Sequence, residues 1–78
     1  MIEIIRKTVK SLGKDVAFTR LTPEEKGRLA DIAYTYKRQG IKTSENEIIR
    51  IAINSLIEDF NKNGKKSLLS QVIEELNA

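Results

Sequence analysis

Hydrophobic positions recur at helical spacing in four stretches of the chain, and a single β-prone run separates the first from the second. The most apolar stretch is 44–61. At ~100° per residue, Ile48, Ile49, Ile51, Ala52, Ile53, Leu56, Ile57 and Phe60 spread over an arc of roughly 240°. A helix covering one small core needs an apolar stripe only somewhat wider than ~100°. This pattern therefore predicts a central helix with neighbours on several sides, more than so short a chain supplies. Ser44 is placed to cap it, and Glu47, three residues on, to complete a capping box by reaching back to the Ser44 N–H.

The other stretches are narrower. Residues 23–39 put Leu29, Ile32, Ala33 and Tyr36 on one face. Thr22, Pro23 and Glu25 form a strong start signal: a cap, a first-turn proline and a second capping box. Gly40 supplies the stop, and Lys37 and Arg38 suit the negative end of the helix dipole. Gly27 is costly inside this helix and suggests a close approach by a neighbour. Ile41 then anchors a short turn leading to Ser44. Residues 68–77 carry Leu68, Leu69, Val72, Ile73 and Leu76 opposite Gln71, Glu74 and Glu75, behind a Ser67 cap. So short a helix must pack on something: its own dimer, where it would cover Ile51 and Ile57, another protein, or a second dimer in a tetramer on DNA.

Two segments are less determined. In 1–13, Ile2, Ile5, Val9 and Leu12 fit a helix ended by Gly13, but a short strand through Ile2 and Ile4 or a basic arm fits as well. Residues 15–21, Asp15 to Leu21, are too short for a helix and rich in strand formers through Val16, Phe18 and Thr19. The expected organisation is an arm or helix at 1–14, a domain at 15–61, and a linker and helix at 62–78.

Composition sharpens the expectation of a partner. The chain has 78 residues, 40% of them hydrophobic, with no Cys and no His. A core this small usually needs disulfides, a metal or a second subunit. The first two are closed, so a homodimer is expected, with no metal and no cofactor. No run approaches the ~18 apolar residues of a membrane span and the amino end lacks signal-peptide order, so a cytoplasmic protein without membrane contact is expected. The net charge is +3, and its excess lies in residues 1–20, where Arg6, Lys7, Lys10, Lys14 and Arg20 face only Glu3 and Asp15. A polyanion partner suits that clustering, although a merely solvated basic face would look the same.

The sequence of strand, helix and very apolar helix resembles the ribbon-helix-helix DNA-binding proteins of the MetJ/Arc/CopG type. The resemblance is carried by Arg20-Leu21-Thr22-Pro23-Glu24-Glu25, by Arg28-Leu29 and Ile32-Ala33, by Gly40-Ile41, and by the run from Ser44 to Ile53. It covers about 15–60 and leaves out both ends. It implies a mainly α fold, an intertwined homodimer in which one strand from each chain pairs into a ribbon that enters the major groove of double-stranded DNA. The added helix at the carboxyl end lies outside that pattern.

With Leu21 inward, as the resemblance implies, strand alternation turns Arg20, Phe18 and Val16 toward the bases, Arg20 as the guanine reader. A bulge would reverse the parity and make Val16 and Phe18 core. Phosphate contacts are expected from Lys14, Lys42, Thr43, Ser44 and Asn46, the last three around the amino end of the central helix. Lys42-Thr43 is a two-residue extension relative to the family loop, and Glu45 would repel phosphate there. The dimer core is expected from Leu21, Leu29, Ile32, Tyr36, Ile48, Ile49, Ala52, Ile53 and Leu56. A repressor, or a plasmid copy, partition or transfer regulator, follows from this reading. The alternative is an antitoxin whose 61–78 segment binds a toxin. Catalysis is not expected, since the acidic pairs Glu24/Glu25 and Glu74/Glu75 sit at helix ends and Gly13-Lys14 lacks phosphate-loop spacing.

Overall fold

The computed structural model describes residues 1–11 and 13–78. Leu12, predicted to extend the apolar face of the first helix, lies outside the described residues. Four helices follow in order: α1 over Ile2–Lys10, α2 over Pro23–Arg38, α3 over Glu45–Asn63 and α4 over Leu68–Leu76, the last two joined by a 3-10 turn at Gly64–Lys66. Each boundary has a local cause. Thr22 accepts from the Glu25 N–H while Glu25 accepts from the Thr22 N–H, the complete capping box that opens α2. Its far end closes in a Schellman turn: the Ile41 N–H donates to the Tyr36 carbonyl, the Gly40 N–H to that of Lys37, and Gly40 takes φ 76°. Gly64, at φ 52°, allows the reversal between α3 and α4.

α3 is the hub. Each of the other helices packs on it, and among the described residues they make no close backbone approach to one another. Of the alternatives for the amino end, the helix is the one adopted. It ends at Lys10, before Gly13, because groups outside its own sequence take its carbonyls: Arg50 of α3 donates to the carbonyls of Thr8 (2.8 Å), Val9 (2.9 Å) and Ser11 (2.5 Å). The guanidinium fork thus does for α1 what a glycine cap does for α2.

The ribbon-helix-helix architecture is overturned. The fold is mainly α, but no strand occurs among the described residues. Residues 13–22 are irregular and exposed throughout, including Val16 (76%), Phe18 (94%) and Leu21 (42%). Among the described residues, no backbone hydrogen bond joins 13–21 to any other segment. The physical reason is that strand propensity expresses a fit to a pleated, half-covered surface and not a preference of the isolated backbone. Without a ladder partner the Asp15–Leu21 run has no strand to form. The expected inward and outward alternation is likewise missing, because neither side of the segment is covered.

No hydrophobic residue among those described is fully buried. The chain exposes 7191 Å², whereas a folded monomer of 8.9 kDa exposes about 4,800 Å². Its radius of gyration, 14.4 Å, also exceeds the roughly 11.5 Å of a compact chain of this length. No helix of the described residues is long and apolar enough to cross a membrane.

Candidate nucleic-acid interface

The residues singled out for DNA contact fall into two groups. Lys14, Val16, Phe18 and Arg20 lie on the exposed extended segment, and Lys42, Thr43, Ser44 and Asn46 surround the start of α3. The chain brings the groups toward one another through α2. The extended segment runs into Thr22, one turn later Lys26 forms an ion pair with Glu45, and that pair ties the first turn of α2 to the first turn of α3. Two helix amino ends, each with the positive pole of a helix dipole, therefore lie side by side.

The carboxylates crowding this corner are all engaged within the chain. Glu25 serves the Thr22 cap, Glu24 pairs with Arg28 at 3.3 Å, Glu45 meets Lys26, and Glu47 accepts from the Thr43 hydroxyl at 2.8 Å. The capping box expected at α3 is therefore half formed. Ser44 does accept from the Glu47 N–H at 3.1 Å, but the Glu47 side chain turns to Thr43 instead of the Ser44 N–H. The Thr43 hydroxyl takes the place of the backbone donor. The repulsion expected of Glu45 is reduced by Lys26, though exposed pairs of this kind are weak. Among the described residues, the N–H groups of Glu45 and Asn46 find no acceptor in the chain, and they point along the helix axis as anion donors.

Beside this corner is an open cleft of about 560 Å³, lined by Ala33, Tyr34, Lys37, Gly40, Ile41, Lys42 and Thr43. It adds Lys37 and Tyr34 to the basic side of the corner. Neither was singled out in the sequence, since Lys37 reads there only as a helix-dipole cation and no spacing marks Tyr34. The Schellman turn folds Lys42 back beside them. Arg38 lies over the Tyr34 ring, 6.0 Å from its centre.

The residues expected in the dimer core do not form a core within one chain. Leu29, Ile48 and Leu56 are half-buried, while Leu21, Ile32, Tyr36, Ile49, Ala52 and Ile53 are exposed. Gly27 makes no close approach; a side chain there would meet nothing within 4 Å. Among the described residues no group of His, Cys, Asp and Glu could hold a metal ion.

The sequence signal missed most completely is that of long-range caps. Arg50 is one. Asp59 is the other: it accepts from the Leu68 N–H at 2.8 Å and from the Asn63 amide at 2.6 Å, and so fixes the first turn of α4 together with Ser67, the one fully buried residue among those described. The Leu68 N–H, and then the Asn63 amide, hold the Asp59 carboxyl below its ordinary value, with desolvation opposing them. Comparison with family models, with curated proteins and with solved structures finds no match to this chain.

Proposed function

We propose that this chain is a double-stranded-DNA-binding protein that acts as a homodimer, in the manner of a transcriptional repressor or a regulator of plasmid copy, partition or transfer. The observation that carries the DNA reading is the exposed extended segment bearing Lys14 and Arg20, which leads into a corner where unpaired helix N–H groups adjoin Lys42. An extended segment fits a DNA groove without forming a strand; Arg20 offers two donors to a base edge, and the corner offers phosphate contacts. The two capped helices whose residues resemble MetJ/Arc/CopG-type proteins support the same reading, without the ribbon.

The exposed surface supports the homodimer. The chain exposes about 2,400 Å² more than a folded monomer of its mass, and twice that lies within the roughly 2,000–5,000 Å² of obligate dimer interfaces. A second reading, an antitoxin that holds a toxin through its carboxyl end, is favoured by the exposed Leu68, Val72, Ile73 and Leu76 of α4.

Titration of a labelled duplex pool, followed by anisotropy across a salt series, tests DNA binding. Log affinity should fall with log salt at about −0.9 per phosphate neutralised, and Arg20→Ala should cost about 1–3 kcal/mol at the selected site. A flat salt response refutes the phosphate contacts, and undiminished binding by the variant removes Arg20 from the contact.

A further inference from the structure

We propose that the groove between α1 and α3 seats α4 of a second copy, exchanged reciprocally between the two chains; this rests on the homodimer reading above. The groove holds about 520 Å³ and is floored by Met1, Ile2, Ile5, Val9 and Ile51, with Arg6 and Lys10 along its α1 edge and Glu47, which accepts from Thr43, on its α3 edge. Among the described residues nothing fills it. Ile2 remains 82% exposed and Ile51 41%, and among the described residues α1 and α4 do not approach each other.

α4 carries the complement. Asp59 and Ser67 hold its start on its own α3, and Leu69 is half-buried there. Its other side presents Leu68 (60% exposed), Val72 (47%) and Leu76 (78%), one residue per turn along a single stripe. Glu75 projects beside that stripe. The net charges are opposite: Leu68–Leu76 carries Glu74 and Glu75 and no basic residue, while Ile2–Lys10 carries Arg6, Lys7 and Lys10 against Glu3, which pairs with Arg6 at 3.0 Å. Both helices are 9 residues long, so stripe and groove match in length. Complementary charge at the edge of an apolar contact selects partner and direction. Glu75 beside Arg6 and Lys10 places Leu68 beside Ile2, so the two helices run parallel. A two-fold axis then fills both grooves by the same contact.

The chain has no cysteine, which makes the test direct. Ile2→Cys and Leu68→Cys are made on separate chains, mixed in equal amounts under denaturing conditions, refolded together and oxidised with diamide. Both positions are exposed, so neither change disturbs packing within the chain. Random collision makes the mixed disulfide one half of all disulfide dimers. The exchange puts the two cysteines side by side only in the mixed dimer, so its share should rise well above one half. A share at or below one half overturns the exchange. Sedimentation of the unmodified chain separates the two failures: a dimer with no excess of mixed disulfide refutes only the α4 exchange, whereas a monomer refutes the homodimer reading as well.

Discussion

Replacing Arg50 by Met tests how α1 is held. The substitution keeps most of the apolar stem and removes the guanidinium that accepts no substitute in this position, since one planar fork serves the carbonyls of Thr8, Val9 and Ser11. Charge-assisted hydrogen bonds contribute about 1.5–3 kcal/mol each when well shielded, but two of these three are exposed. A loss of about 2 kcal/mol for the set is the discounted figure. Nine residues do not sustain a helix alone, so α1 must open from α3 when its clamp is lost. At about 1.36 kcal/mol per tenfold, its open population rises roughly 30-fold. Amide hydrogen exchange read residue by residue is the assay: protection at Arg6 to Lys10 should fall by that factor, while amides in the middle of α2 keep theirs. Arg50→Lys should restore only a minor part, because a single ammonium cannot span the three carbonyls. Less than about a threefold change in α1, or an equal loss in α2, refutes the clamp.

Two glycines should respond in opposite directions to alanine. Gly40 sits at φ 76°, where a side chain costs about 1–2 kcal/mol, so Gly40→Ala lowers the thermal midpoint. Gly27→Ala meets no neighbour and gains about 0.5–1 kcal/mol of helix propensity, raising it; midpoints that shift in the same direction contradict the assignment. Asp59 makes the attachment of α4 acid-sensitive. Its carboxyl titrates below its ordinary value of 3.8 in the folded chain, so its contribution is complete above that value and fades as pH falls through the lowered one. Limited proteolysis at a series of acidic pH values should show the turn at Gly64–Lys66 becoming cleavable, and Asp59→Asn, which keeps an acceptor but cannot titrate there, should abolish that step. Finally, diluting the chain a hundredfold should lower its melting midpoint if two copies share one core, and an unmoved midpoint would contradict the homodimer.

The helices were legible in the sequence because their boundaries are written locally. Thr22 with Glu25, Ser44 with Glu47, Gly40 and Ser67 each act within three or four residues, and α2, α3 and α4 begin where those residues place them. Arg50 and Asp59 were not legible as caps. Arg50 acts across 39 to 42 residues of sequence and Asp59 across 9, and at those separations no spacing rule distinguishes them from solvent-facing charges. The strand failed for a different reason. Val16, Phe18 and Thr19 have the right propensity, but a strand is a relation between two segments, and the described chain offers 15–21 no second one. Of the candidate interface, the positions of Lys42, Thr43 and Ser44 around the α3 start could be read from spacing alone. The Lys26–Glu45 pair that joins this corner to α2 could not.

The arrangement of three helices around α3 has a further consequence for how disturbances spread. Since α1, α2 and α4 make no close approach to one another among the described residues, substitutions on different outer helices of one chain meet only through α3, and those that touch different residues of α3 should act additively, within about 0.3–0.5 kcal/mol. A measured coupling between the two ends of the chain would have to run through the axle itself or cross from one molecule to another.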